Sequence, residues 1–299
     1  MEILLALRNE VGQRRSLAKL FYIEDRMRVA FFGDIVGRPG RTAIKARAPH
    51  LREKLRLDAI IANAENAAGG IGTTRETLRE IFSAGVDVTT GGNHTWRNQE
   101  FYTALDEDSR VIRPANVPPA SPGRGHTIHT LADGTRFAVI NLLGRAFMEA
   151  CDCPFRAVDA ILETLPDDVT LRFVDFHAEA TSEKRAMGHY LDGRVSALVG
   201  THTHVQTADA TIFPKGMAYI TDLGMCGAER ESVLGMEPGG IIKRFVTGLP
   251  VRFKPVSGEG VLNGLLAVFD PVSGKALHVA VLRERAATVY DPATGHLPF

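Results

Sequence analysis

The sequence carries no excess of charge of either sign: Lys and Arg total 35, Asp and Glu total 35, and the formal net charge is zero. A protein that grips nucleic acid along its phosphates shows a basic excess or stripe. The clearest basic cluster here is the pair Arg14-Arg15. Duplex nucleic acid is therefore not an expected partner, whereas a short nucleotide held in a pocket needs only local positive charge. Cysteine is scarce, with Cys151, Cys153 and Cys226 alone. An odd count of three implies no disulfide framework and fits a reducing compartment. Cys151 and Cys153 could touch a soft metal, but no second Cys pair completes such a site. No apolar run approaches the ~18 residues of a membrane span. The N-terminal MEILLALRNE stretch has too short an apolar core, with Glu2 before it, for a signal peptide. Both absences point to the cytoplasm and to no membrane partner. No internal repeat, low-complexity tract or Pro/Ser linker divides the chain.

What remains is ordinary globular composition, 44% hydrophobic and 23% charged over 299 residues. A chain of that length buries most of its apolar surface without covalent help. Residues 1–26 read as an N-terminal extension, an amphipathic arm (Leu4, Leu5, Leu7, Val11) or a product of start-site choice. A strong strand, RVAFFGD, then opens at Met27, and 27–299 reads as a single domain. Short apolar runs follow one another at Val29–Phe32, Ala59–Ala62, Val86–Thr89, Phe137–Leu142, Leu171–Phe176, Val195–Val199 and Met217–Ile220, each with the length of a buried strand. Between them, Thr42–Leu55, Thr74–Ala84, Phe155–Leu165 and Thr181–Leu191 have helical spacing. Strands alternating with helices predict an α/β architecture. Leu262–Asp270 and Ala276–Leu282, joined by Pro-Val-Ser-Gly, predict a hairpin.

The polar residues cluster by position. Asp34 follows the first run; Asn63, Glu65 and Asn66 the second; Asn93 and His94 the third; Asn141 the fourth; His177 the fifth; His202 and His204 the sixth. In open α/β sheets ligands collect beyond the carboxyl ends of the strands, so these tips converge on one edge. Each alone has a plainer reading: an Asp after a strand caps a helix or turn, a lone His is usually a hydrogen-bonded one, and Asn93-His94 after two glycines fits a tight turn. His202 and His204 are the best local signal, because an extended segment lets two imidazoles two residues apart face the same way. Together they make a mixed N/O donor set suited to Zn, Fe, Mn, Ni or Cu. It is too large for one four-coordinate zinc and about right for two ions sharing a bridging carboxylate. Two divalent ions would outweigh Asp34, Glu65 and a bridging hydroxide, so the site would be cationic and draw a phosphate ester.

Five ordered segments carry a resemblance: GDIVGRPGR (33–41), NAENAAGG (63–70), GGNHTW (91–96), DFHAE (175–179) and GTHTH (200–204). They resemble the calcineurin-like metallophosphoesterases, and within them the bacterial YmdB-type branch, as do TDLGMCG, IIKRFVTGLPVRF and LNGLL further on. The likeness runs from Met27 to about Arg283. The superfamily's Asp-x-His opening is absent, since Ile35 and Val36 follow Asp34, and its Gly-Asp is replaced by Asn-Ala-Glu-Asn; both departures are typical of that branch. The resemblance implies a four-layer α/β/β/α sandwich. It implies that Asp34, Asn66 and His204 bind one metal, that Glu65 bridges, that Asn93, His177 and His202 bind the second, and that His94 protonates the leaving oxygen. It also implies iron, or manganese in its place, and hydrolysis of phosphodiesters, especially cyclic nucleotides such as 2′,3′-cyclic AMP, by metal-activated hydroxide. A His near a cationic site can donate a proton near neutral pH.

Other residues have plainer readings. Pro39 fits a first helical turn, although Arg38 or Arg41 could meet a phosphate. The Gly69–Gly72 loop lacks nucleotide-loop spacing and reads as a flexible pocket wall. His126, His129 and His189 read as structural, and Thr201 and Thr203 as supports for the imidazoles. Three rivals stand beside the diesterase: a phosphomonoesterase (nucleotidase or protein phosphatase) on the same site, a regulatory protein whose metal site is structural, and an amidohydrolase, whose His-x-His pair would fall earlier in the chain. A homo-oligomer is compatible with the sequence.

Overall fold

The computed structural model describes residues 26–286. The expected extension, Arg26 apart, lies outside the described residues. Strand β1 (Met27–Phe32) shows why layers form. Successive side chains point to opposite faces, and both faces are apolar, as a strand covered on both sides requires. Ala30 and Phe32 join Ile60 and Ala62 of β3 (Ala59–Asn63), packed against Ile44 and Leu51 of α1 (Gly37–Leu55), Leu78 and Ile81 of α2 (Arg75–Ser83) and Leu105 of α3 (Tyr102–Glu107). Val29 and Phe31 turn the other way. With Ile61, and Leu265 of β12 (Gly260–Phe269), they meet Phe137 and Val139 of β6 (Arg136–Leu143), Phe173 of β7 (Leu171–His177) and Val199 of β8 (Ala197–Thr201). The outer face of that second sheet, with Ile140, Val174 and Leu198, is covered by Val158 of α4 (Pro154–Thr164) and by Met187 and Leu191 of α5 (Thr181–Leu191). Three apolar interiors thus separate four layers, and the fold is the expected α/β/β/α sandwich. An edge-to-face contact of Phe31 with Phe173, centroids 5.3 Å apart, ties the two sheets.

The first sheet has seven strands, in the order β2-β11-β12-β1-β3-β4 with β13 paired to β12; β2 is Asp34–Ile35, β4 Val88–Thr90, β11 Met225–Ala228 and β13 Ala276–Arg285. The second has six, β5-β6-β7-β8-β10-β9; β5 is His126–Thr130, β9 Thr211–Ile212 and β10 Ala218–Ile220. β1, β3 and β4 are parallel, as are β6, β7, β8 and β10. The carboxyl ends of both parallel sets open on the same edge of the sandwich. Among the described residues no helix is long and apolar enough to cross a membrane.

The hairpin forms as expected, antiparallel. The expected strands at 86–89 and 195–199 pair two residues later, because Val86 and Val195 are buried in the turns that lead in and not in ladders. Helix α1 starts at Gly37 rather than Thr42, with Pro39 in its first turn. The short strands β2, β5, β9 and β11 and helices α3 and α6 (Pro238–Thr247) were not foreseen; α6 buries none of its residues, so no core-facing stripe announces it.

Candidate metal centre

Five of the strand ends deliver their polar residues to one place. Asp34 opens β2, one residue past β1, and is wholly buried; its Oδ2 accepts the backbone N–H of His202 (3.1 Å), while Oδ1 has no hydrogen-bond partner. That oxygen lies 3.8 Å from His177 Nδ1 and 3.9 Å from His204 Nε2. Glu65 reaches in from the turn after β3, which Asn63 shapes by accepting the Glu65 N–H (3.1 Å). Its Oε2 accepts the His94 N–H (2.9 Å) and its Oε1 the Asn66 amide (2.9 Å). Oε1 is also 3.3 Å from both His177 Nε2 and His94 Nδ1. Asp34, Glu65 and His177 each place a donor atom within 4.8 Å of the others.

The second sheet supplies the imidazoles. Asp175, one alternation before His177 on β7, accepts the hydroxyls of Thr201 (2.7 Å) and Thr90 and the Asn63 amide (3.2 Å). With its proton committed to Asp175, Thr201 Oγ1 accepts from His177 Nδ1 (2.9 Å). This chain orients Nε2 toward the cluster, where it meets Asn93 Oδ1 (3.1 Å) and His202 Nδ1 (3.1 Å). His202 is held on its other side by Glu179 (3.2 Å), and His204 by the Leu234 carbonyl (3.1 Å).

The His-Thr-His segment is not extended, contrary to the sequence expectation. It bends, with φ of 102° at His202 and 65° at His204, a conformation that non-glycine residues adopt at a cost. Such strain concentrates at functional sites, where the surroundings over-determine it. Gly92 is needed for close approach: a Cβ there would stand 2.2 Å from Glu65 Oε2 and 2.4 Å from His177 Nε2.

All eight residues singled out from the sequence (Asp34, Glu65, Asn66, Asn93, His94, His177, His202, His204) meet in this cluster. Asn66 touches Glu65, His204 Nε2 (3.4 Å) and, through Oδ1, His94 Nδ1 (2.9 Å). Thr201 supports an imidazole as expected. The Arg41 guanidinium is engaged within the protein, donating to Glu80 (2.9 Å) and to the Ala67 carbonyl (2.5 Å). The Gly69–Gly72 turn is closed by Ala68 N to Gly72 O (2.8 Å). His126, His129 and His189 lie outside the cluster, on β5 and α5, and the three cysteines are free thiols. The sequence reading missed Asp175, Lys184 and Asp222 as builders of the site, and named Asn141 at the edge without giving it a role. Asn141 Oδ1 accepts the Gly91 N–H (3.0 Å) and so shapes the turn before Asn93. A charged residue inside the apolar run RFVDF was the one signal for Asp175; Lys184 on a polar helix gave none.

The electrostatics test whether this set suits a cation. Burial pushes the Asp34 carboxyl up, against the pull of His204 and His177. Burial would also raise Glu65, but His177 and His94 outweigh it and hold that carboxyl well below its usual range. Burial opposes a charge on His177, yet Glu65, Asp34 and Asp175 together lift it to about 9. His202 goes the other way, to about 3, through burial and its neighbour His177. The cluster therefore demands positive charge and keeps His202 neutral. Two buried carboxylates, one with an unpartnered oxygen, beside convergent imidazole nitrogens fit divalent metal.

Fold and site together define a metallophosphoesterase: carboxylate, amide and imidazole donors at the shared carboxyl edge of a four-layer sandwich. The chain belongs to the YmdB-like protein family, whose sequence model matches residues 30–282. It is 47% identical over 253 residues to a 2′,3′-cyclic-nucleotide 2′-phosphodiesterase of Bacillus subtilis (strain 168), covering 85% of this chain and 95% of that one. The crystal structure of a protein described as a novel phosphatase from Mycoplasma pneumoniae superposes with a TM-score of 0.83 at 33% identity, covering 88% of this chain and 95% of that one. A hypothetical protein from Thermus thermophilus superposes with a TM-score of 0.81 at 41% identity, covering 87% and 99%.

Proposed function

We propose that the protein hydrolyses phosphodiester bonds of small cyclic nucleotides, 2′,3′-cyclic AMP among them, with the Asp34–Glu65–His177 cluster at the centre of a two-metal site. The observation that carries this is the buried, unpartnered Asp34 Oδ1 within reach of two imidazoles and a second buried carboxylate. The name of the Bacillus subtilis relative supports the substrate class. Asp34, Asn66 and His204 would hold one ion, Asn93, His177 and His202 the other, with Glu65 shared. Iron, or manganese in its place, suits this mixed donor set. When bound, such a pair supplies a nucleophilic water at neutral pH and charge stabilisation for attacking and leaving oxygens.

The protein's own groups do the rest. Glu65 fixes the Asn93-His94 turn through the His94 N–H, and so sets where the His94 imidazole stands. That imidazole is about one-third exposed and lies against Glu65, whose hydrogen bond raises its pKa. His94 is therefore protonated further into the neutral range than a free histidine and can donate to a departing oxygen. Asn66 Oδ1, 2.9 Å from His94 Nδ1, accepts that N–H, so that Nε2 of the protonated ring is the nitrogen that would give up its proton. The Asp175–Thr201–His177 chain keeps His177 Nε2 turned inward. The same reading takes residues 27–299 as one metallophosphoesterase domain, working in the cytoplasm.

Manganese-loaded protein should turn over both bis-p-nitrophenyl phosphate and 2′,3′-cyclic AMP, with p-nitrophenyl phosphate slower. Absence of diester turnover with metal bound overturns the proposal. A faster monoester rate makes the enzyme a phosphomonoesterase instead.

A further inference from the structure

Between β6 and α4 the chain makes a short loop, residues 144–151, whose ends are clamped together. Asn116 Oδ1 accepts from Leu143 N (2.8 Å), and its Nδ2 donates to Leu143 O (2.8 Å) and Asp152 O (2.9 Å). The Cys151 thiol donates to Gly144 O (3.5 Å). Glu183 accepts the backbone N–H groups of Arg145 (3.0 Å) and Ala146 (3.2 Å).

The loop also hangs from the metal centre at two points. Gly144 N donates to the His177 carbonyl (2.9 Å), and Asn93 Nδ2 donates to Glu149 Oε1 (3.3 Å). Between these anchors Phe147 stands 90% exposed with φ of 63°. Both properties are unusual. A ring this size is ordinarily driven inside, and a bulky residue in the left-handed region is strained. A compact loop tied to its base and to two residues of the site therefore spends its rigidity on holding one aromatic ring in water at the rim.

We propose that Phe147 is a specificity-determining residue: its ring stacks on the nucleobase of a cyclic nucleotide whose phosphate lies at the metal centre. The inference rests on the phosphodiesterase reading above and adds to it the residue that holds the base beside the scissile phosphate. Aromatic stacking discriminates little between bases because every base has a π face. The enzyme should accept all four bases, with purines favoured for their larger face.

The test compares two substrates of the full-length, manganese-loaded enzyme: 2′,3′-cyclic AMP and the base-free glycerol 1,2-cyclic phosphate. Phe147→Ala should raise KM for the nucleotide about tenfold, the loss of one base–aromatic stack, with kcat little changed and the base-free substrate unaffected. Phe147→Trp should restore the nucleotide KM, and Phe147→Leu should not. An unchanged nucleotide KM in Phe147→Ala, or an equal loss on both substrates, overturns the stacking role and leaves the phosphodiesterase reading intact. A native enzyme that hydrolyses neither substrate takes both down.

Discussion

Lys184 and Asp222 form an ion pair closed to solvent, Nζ to Oδ2 2.7 Å with both side chains fully buried, and the backbone of His202 is suspended between them. Lys184 Nζ also donates to Thr201 O (2.8 Å), and Asp222 Oδ2 accepts Thr203 N (3.1 Å). The peptide groups on either side of His202 are thus pinned to opposite members of the pair. The pair thereby braces the strained His202 backbone from both sides. Lys184→Met leaves Asp222 as a lone buried charge and should cost about 3–5 kcal/mol, read by urea denaturation. Lys184→Met with Asp222→Asn should recover part of that stability but not native metal affinity. A single-variant loss below about 1 kcal/mol, within reach of ordinary surface pairs, contradicts the role given to the pair.

Gly92→Ala tests the closeness of the cluster. The added methyl would overlap Glu65 Oε2 at 2.2 Å and His177 Nε2 at 2.4 Å. The variant should fold, by circular dichroism, and lose metal and at least about 100-fold in kcat/KM, the scale of a misplaced catalytic group. Native metal content in this variant would show that the cluster has more room than its geometry indicates.

His94 and the metal-holding residues should separate cleanly. His94→Ala removes a proton donor and no carboxylate, so metal content should stay native while kcat falls by roughly 10²–10⁴. The acid-side dependence of kcat should persist and the alkaline limb, assigned to His94, should flatten. Unchanged kcat excludes His94 as the donor.

How much of this was legible in the sequence follows from what each signal measures. β1, β6 and β7 announced themselves because they are covered on both faces and so form unbroken apolar runs; the edge strands β5 and β9 are short and half-polar, and did not. The site residues could be picked out because strand ends in parallel sheets share an edge, so five dispersed tips had one place to go. The supporting residues were hidden for the opposite reason. Lys184 looks like any lysine on a solvated helix, and only the packing of α5 against β8 shows its ammonium to be buried. The bend at His202 was invisible because strain belongs to backbone geometry, not to residue type.

Stability should fall in mild acid for reasons apart from the metal centre. Burial holds His126, His129 and His278 below the ordinary histidine range. The unfolded chain takes up protons near pH ~6.5. Above that pH both states are neutral at these positions and their contribution is complete. As pH falls through about 6.5 the unfolded chain gains protons that the native side chains resist, so stability declines until their lowered native pKa values are reached. His278, whose buried Nε2 has no hydrogen-bond partner, is the residue to probe. The melting temperature should drop between about pH 7 and 5, and His278→Gln should make that drop shallower. An unaltered slope removes His278 from the account.

In the proposed centre Glu65 would be the carboxylate common to two metal ions. Metal stoichiometry of the manganese-loaded protein, by elemental mass spectrometry on native and Glu65→Ala protein, tests this most directly. Two ions per chain are expected in the native protein and one or none in the variant, with diester hydrolysis lost in parallel. A native stoichiometry of zero, or two ions kept after Glu65 is removed, would contradict it.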